Sequence, residues 1–346
     1  MRGTGFLLGL LATRVVYAAN DWGMGDANSK LTPPHIFRPL STPAHEISTL
    51  AIFTLAVTGA IFVIVAVLLA YSAIRFRARR TDDGSEPPQV YGSGPVEFAW
   101  TAVPVLIVFV LALTTGRTVY TIQAARRPPN ALGVRVVGHQ WWWEFQYPEL
   151  GIVTANELHV PVSDPRDPRP TFLELESADV AHSFWVPQLA GKTDVIPNKT
   201  NVTWIEPERP GVFLGQCAEF CGTQHALMLL RVVVHPRDEW EHWVASQRAP
   251  AATDKSVENG RRVFASTACV NCHVVQGTGA TGRFGPDLTH LMSRETLAAG
   301  AALNTPANLK AWLRDPNVIK PGALMPAMDL ADRDLDDLVA YLETLR

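Results

Sequence analysis

Long stretches of this chain carry no charge at all, while elsewhere apolar residues recur at strand or helix spacing. From Ile47 to Ile74, 28 residues are uncharged. About 20 apolar residues at 1.5 Å rise cross the hydrocarbon core of a bilayer, whereas a soluble helix of this length keeps a charged face. The run therefore predicts a membrane span over about 47–74. A second uncharged run, Phe98–Gly116, lies between Glu97 and Arg117, and Thr118–Ala125 can lengthen it. It predicts a second span over about 97–122, with Pro104 early enough for neighbours to satisfy the freed carbonyl. The link between the spans begins Arg75, Arg77, Arg79, Arg80. Short arginine-rich loops stay on the cytoplasmic side, so everything after about residue 126 is expected outside, although Arg117, Arg126 and Arg127 weaken the asymmetry. Arg2, the apolar run Phe6–Ala12 and the small residues Ala18 and Ala19 read as a secretory signal over 1–19, cleaved near Ala19 and interrupted by Arg14.

Beyond the spans the period shortens. Val134–Val137, Glu157–Val160, Thr171–Leu175, Asn201–Ile205 and Leu227–Val234 are short β-rich runs broken by Pro and Gly. Strands of this length and spacing predict a β-sandwich or small barrel over about 127–246. The alanine-rich Gln247–Thr253, with Pro250, reads as a linker. After it, Val257–Thr267, Pro306–Arg314 and Arg333–Leu345 show helical spacing, which predicts a small all-α domain over 254–346.

Composition narrows the functional classes. The 346 residues are 47% hydrophobic and 18% charged, with 30 Lys plus Arg against 33 Asp plus Glu. No basic excess exists to neutralise phosphates, which excludes nucleic acid as a general partner. Four cysteines are too few for a disulfide scaffold in a chain of this length. They fall as two tight pairs, Cys217/Cys221 and Cys269/Cys272, which points to two cofactor sites.

Within 12 residues the segment Cys217–Met228 holds Cys217, Cys221, His225 and Met228. Thiolate, imidazole and thioether donors suit copper better than calcium or magnesium, and a loop between two strands is a rigid place to fix them. A second histidine is needed, and His182, at the start of a strand-like run, is the best candidate. A Cys217–Cys221 disulfide, structural zinc or simple buried thiols remain open on spacing alone. The second pair sits in Cys269-Val270-Asn271-Cys272-His273, the C-x-x-C-H attachment signature of c-type haem, with His273 placed to ligate the iron. For the opposite iron face Met325 is chosen, because Gly322 and Pro326 make an extended loop around it; Met328 and His290 are rivals, and Met292 lies too near a helix-like run.

Several motifs in order carry a family resemblance over nearly all of residues 41–243. They are Val96-Glu97-Phe98-Ala99-Trp100-Thr101-Ala102-Val103-Pro104, Gly138-His139-Gln140-Trp141-Trp142-Trp143, His182-Ser183-Phe184-Trp185-Val186-Pro187, Lys192-Thr193-Asp194-Val195-Ile196-Pro197 and the 217–228 loop. Together they resemble the CuA subunit, subunit II, of cytochrome c oxidase. The C-terminal module resembles class I cytochrome c, with Gly285-Pro286-Asp287-Leu288 in the usual connecting position. The resemblance implies a two-helix hairpin, a cupredoxin-like sandwich and an all-α cytochrome c domain. It implies that Cys217 and Cys221 bridge two coppers, that His182 and His225 cap them, and that Met228 and the Glu219 carbonyl are weak ligands. A related quinol-oxidising branch lacks these cysteines, so that reading is disfavoured.

The resemblance also assigns smaller roles. Trp141 is the residue through which electrons reach CuA, the bland alternative for the three tryptophans being an aromatic belt at the membrane surface. Glu97 marks the start of a proton path, the alternative being a carboxylate stabilised by the helix N-terminus. The Glu219 carboxylate helps hold magnesium at the subunit I interface. Asp179 and Asp194 read as structural or interface carboxylates, and Asp332, Asp334, Asp336 and Asp337 as a solvated helix face. The implied partners are oxidase subunits I and III and a donor, cytochrome c or a cytochrome bc complex. The implied location is the bacterial inner membrane, with both domains on the periplasmic side. Electrons would pass from haem c to CuA to subunit I, where oxygen is reduced to water with proton translocation. A CuA-containing nitric oxide reductase and a non-enzymatic membrane-bound carrier are the alternatives; the Glu97 and Lys192-Thr193-Asp194 motifs favour the oxygen reductase.

Overall fold

The computed structural model describes residues 31–32, 34–77, 86, 88–251 and 254–346. The expected signal over 1–19, its cleavage near Ala19, and Arg79 and Arg80 of the basic link lie outside the described residues. A short strand β1 (Leu31–Thr32) precedes helices α1 (Thr42–Arg75) and α2 (Gly94–Gln123). Both helices are long and apolar enough to cross a membrane, and the rest of the chain leaves their apolar windows uncovered.

The helix α1 begins at Thr42, not near 47, and takes in His45 and Glu46. Its first turns pack on the β domain, so charge is tolerated there. Pro43, Ala44 and Ser48 are buried, Ser41 Oγ accepts the Glu206 N–H at 2.9 Å, and His45 Nε2 lies 2.9 Å from Glu208. The helix α2 opens on Gly94-Pro95, a position that suits proline, and the Glu97 carboxylate accepts the Ser93 N–H at 3.1 Å. At its other end the indole N–H of Trp204 donates to the Ile122 carbonyl at 2.9 Å. The outer ends of both helices are thus bound to the β domain, with the basic link at the far end.

That domain has strands β2 (Leu132–His139), β3 (Trp142–Tyr147), β4 (Ile152–Ala155), β5 (Glu157–Pro161), β6 (Thr171–Ser177), β7 (His182–Trp185), β8 (Thr193–Val195), β9 (Asn201–Ile205), β10 (Gly211–Cys217) and β11 (Leu229–His235). They form a cupredoxin-like sandwich. One sheet runs β5-β11-β10-β7-β8 with β1 beside β10, and the other runs β4-β3-β2-β6-β9. Alternation places the core: β3 buries Trp143, Phe145 and Tyr147 against Leu173, Leu175, Phe184 and Phe213. The run expected as one strand from Leu227 starts as a 3-10 turn, His225–Leu227, and becomes strand only at Leu229. The strand-rich reading held no helix after Val234, yet α3 (Arg237–Arg248) closes the sandwich by burying Trp240 and Val244. It takes the first two positions of the expected linker.

The C-terminal domain is helical, as expected. It contains α4 (Glu258–Ser266), the single turn α5 (Cys269–Cys272), a two-stranded ribbon of β12 (Thr296–Leu297) and β13 (Ala302–Leu303), then α6 (Pro306–Arg314), α7 (Pro316–Ile319) and α8 (Asp332–Glu343). Phe264, Leu309, Leu313, Leu338 and Leu342 form its core. A Cβ on Gly260 would lie 1.9 Å from the Asp337 carbonyl oxygen, so α4 and α8 cross in backbone contact that only glycine permits. The acidic face of α8 is solvated, with Asp332 2.5 Å from Arg314 and Asp336 paired with Lys310.

The two outer domains share a polar seam. The buried Glu157 carboxylate accepts from Glu295 N at 3.1 Å, Thr296 N at 2.8 Å and Thr296 Oγ1 at 2.7 Å. Beside it Leu229 N donates to Ala299 O at 3.1 Å, Gln247 Nε2 to Ser293 Oγ at 3.1 Å, and Arg231 pairs with Glu295 at 2.9 Å.

Candidate metal centres

Three strand ends build the first centre. His182 opens β7, Cys217 closes β10, and Met228 immediately precedes β11. Backbone bonds zip the loop shut, with Cys217 N to Met228 O and Ala218 N to Ser183 O, both 2.9 Å. The donors then run in a chain. His182 Nδ1 lies 3.9 Å from Cys217 Sγ, the two sulfurs lie 3.8 Å apart, and Cys221 Sγ lies 3.7 Å from His225 Nδ1. Met228 Sδ is 3.9 Å from Cys221 Sγ, and the Glu219 carbonyl oxygen is 3.2 Å from Cys217 Sγ. Cys217, Cys221 and Met228 are buried in the sandwich core.

Both cysteines are free, and their separation is far beyond the 2.03–2.05 Å of a disulfide, which removes that alternative. At metal–sulfur bonds of about 2.3 Å, sulfurs 3.8 Å apart can share an ion at an angle of about 110°. The donor atoms of His182, Cys217 and Cys221 all lie within 4.8 Å of one another, and His225 is outside that group. One tetrahedral ion therefore suits the four residues less well than two ions sharing the sulfurs.

Electrostatics point the same way. The contact with the Cys221 thiol pulls Cys217 far below the usual thiol range, helped by His182 and the Glu219 and Ser183 backbone. The same contact pushes Cys221 up. Two thiolates this close are both stable only beside a cation. Burial opposes charge on His182, but Asp179 and Cys217 outweigh it and hold its pKa above the ordinary value. Asp179 Oδ1 sits 2.8 Å from His182 Nε2, which turns Nδ1 toward the sulfurs.

The second centre is a cavity in the helical domain lined by Cys269, Cys272, His273, Met325 and Met328, with Trp141 and Trp142 on its sandwich side. His273 Nδ1 lies 2.8 Å from the Pro286 carbonyl, which fixes the ring and leaves Nε2 as the metal-facing nitrogen. Burial holds the His273 pKa below its usual value, so the ring is neutral and able to ligate. The apolar lining, two thiols and one oriented imidazole fit a covalently attached haem. His290 is not among the lining residues; its Nδ1 is bound to the Arg346 carbonyl at 2.8 Å.

Trp141 lies in the turn before β3 while Trp142 and Trp143 alternate within the strand, and none of the three lies exposed as a membrane belt requires. Trp143 is fully buried, edge-on to Phe184 at 5.7 Å. Trp142 stacks on His139 at 4.2 Å. Trp141 joins the two centres: its indole N–H donates to the Cys221 carbonyl at 2.9 Å, and its own carbonyl accepts from Lys320 Nζ at 2.7 Å. Glu97 stands apart on α2, while Glu219 presents an exposed side chain on the copper loop beside exposed Phe220.

Sequence reasoning missed four residues. Asp179 was read only as structural, although an acid three positions before a candidate ligand is a signal for an orienting partner. Pro286 lies in the Gly285–Leu288 motif, but its carbonyl contact to His273 is not readable from the motif; Glu157 and Lys320 act across the seam and have no local sequence signal.

Residues 34–115 match the family described as "Cytochrome C oxidase subunit II, transmembrane domain", residues 166–235 match "Cytochrome C oxidase subunit II, periplasmic domain", and residues 257–346 match "Cytochrome c". The chain is 36% identical to cytochrome c oxidase subunit 2 of Alkalihalophilus pseudofirmus over 310 residues, covering 87% of this chain and 85% of the relative. It is 33% identical to the Bacillus subtilis protein of the same name, covering 81% and 83%. Among solved structures, the periplasmic domain of subunit II of cytochrome oxidase from Bradyrhizobium japonicum is 29% identical with a TM-score of 0.33, covering 36% of this chain and 97% of that one.

Proposed function

The chain belongs to the cytochrome c oxidase subunit II family, and from that premise we propose that it is the electron-receiving subunit of a haem–copper oxidase, carrying its own first acceptor as a fused cytochrome c domain. Electrons enter at that domain, pass to a dinuclear copper centre and leave for subunit I, where oxygen is reduced to water and protons are translocated. The haem and the copper pair, when bound, supply reversible one-electron chemistry with little change in bonding.

The chain's own residues do the rest. Cys269 and Cys272 would hold the haem covalently, and His273 and Met325 would be its iron ligands, with Met328 the rival; methionine ligation would raise the potential. Cys217, Cys221, His182 and His225 would hold the copper pair, with Met228 and the Glu219 carbonyl as weaker donors. The sandwich core excludes water from the sulfurs, and three strand ends hold the donors rigid.

The carrying observation is Trp141, which lines the haem cavity while its indole N–H binds a copper-loop carbonyl. It touches both centres and is the proposed electron path. Metal analysis and electron paramagnetic resonance on the full chain test the reading: two coppers sharing one unpaired electron support it, and zinc or a single mononuclear copper overturns it.

Glu97 is proposed as the start of a proton path into subunit I, and the Glu219 side chain as a magnesium ligand completed by that subunit. Glu97→Gln is expected to lower turnover of the assembled oxidase; unchanged turnover leaves Glu97 only its bond to the Ser93 N–H. Subunit III, a cytochrome c or bc-type donor and a bacterial inner-membrane location with periplasmic domains complete the proposal.

A further inference from the structure

The loop between α7 and α8 delivers Met325 to the haem cavity, yet its start is bound to the other domain. Lys320 is buried and lines that cavity, and its Nζ donates to the Trp141 carbonyl at 2.7 Å. The next carbonyl, Pro321 O, accepts from the Gln224 side-chain amide. Gly322 has φ +85, and a Cβ there would lie 3.1 Å from Thr223 Cγ2; both the turn and the close approach favour glycine. Within its own domain the turn is tied by Gly322 N to Asn317 Oδ1 at 2.9 Å and Ala323 N to Lys320 O at 3.0 Å.

The receivers on the sandwich side all belong to the copper site's surroundings. Thr223 and Gln224 directly precede His225 in the loop, and Trp141 hangs on the Cys221 carbonyl. A buried amine needs an acceptor, and for Lys320 the acceptor is supplied by docking of the two domains. In either protonation state Nζ keeps hydrogens to donate. The start of the loop that bears the candidate methionine, residues 320–323, is therefore tied both to its own domain and to the sandwich.

We propose that Lys320 is a positioning residue that anchors the 320–325 loop on the Trp141 carbonyl, beside the Pro321–Gln224 bond to the copper loop, so that docking of the two domains holds Met325 over the haem and Trp141 against Cys221 in a single arrangement. The proposal rests on the reading of Met325 as an iron ligand. It makes methionine ligation depend on the neighbouring domain.

The test uses the full chain with haem and copper in detergent, comparing wild type, Lys320→Met and Gln224→Leu. Two quantities are read: the rate at which added imidazole displaces methionine from the ferric haem, and amide hydrogen exchange over 322–325. Each variant is expected to speed displacement about tenfold, the equivalent of one hydrogen bond, and to deprotect those amides, with the haem still covalently attached. Wild-type displacement rates and wild-type protection in both variants overturn the proposal. If Lys320→Met fails to acquire haem, Gln224→Leu, which lies in the other domain, decides. Met325→Ala separates the underlying reading: an unchanged haem spectrum removes Met325 as ligand, and amide exchange over 322–325 in the two variants still decides the anchor.

Discussion

The copper loop and the haem cavity place their ligands by opposite means. In the sandwich, five side-chain donors lie within 3.9 Å of a neighbouring donor because three adjacent strands end there and backbone bonds close the loop. In the helical domain, His273 and Met325 are 52 positions apart on separate loops. One is steadied by the Pro286 carbonyl and the other lies on a loop tied to the sandwich. A β framework sets a metal site from within one domain, whereas the small helical domain relies on its neighbour for half of its site.

That contrast can be broken at either end. The largest effect is expected from Cys217→Ser, which removes a bridging sulfur; copper content should fall below two per chain and the shared-electron signal should vanish, while the haem spectrum stays. A retained two-copper signal would contradict the bridging role. Asp179→Asn keeps the shape but weakens the orientation of His182, and copper affinity is expected to drop about 10- to 100-fold in a chelator competition. Glu157→Ala leaves the Glu295 and Thr296 donors without an acceptor. It should weaken docking by about 2 kcal/mol, seen in calorimetry as separation of the two domain transitions, with the copper signal unchanged. The smallest effect belongs to Arg231→Gln: Arg231 is buried but its partner Glu295 is exposed, so losing the pair should cost about 1 kcal/mol and the calorimetric separation should move less than in Glu157→Ala.

Much of this was legible in the chain. The uncharged runs located both long helices, and the 12-residue span from Cys217 to Met228 together with C-x-x-C-H located both centres. The strand at Asn201–Ile205 and the helix at Pro306–Arg314 fall where spacing places them. The start of α1 was not legible, because absence of charge marks lipid contact and the first turns contact protein instead. The turn at His225 was not either, because a donor set bends the chain where hydrophobic pattern alone continues the strand. The seam was hidden most completely. Glu157 and Thr296 are 139 positions apart, and Trp141 and Lys320 are 179 apart, so no local pattern pairs them. A lone buried carboxylate or amine acquires meaning only when its partner is in view.

The most direct test of the central claim, that the two centres form one wired unit through Trp141, is pulsed one-electron reduction of the full, metal-loaded chain while haem and copper absorbances are followed together. The account predicts that the electron appears first on the haem and then on the copper pair, at a rate independent of protein concentration, and that Trp141→Phe slows this step with both spectra intact. Transfer whose rate rises with protein concentration, or an unchanged rate in Trp141→Phe, would contradict it.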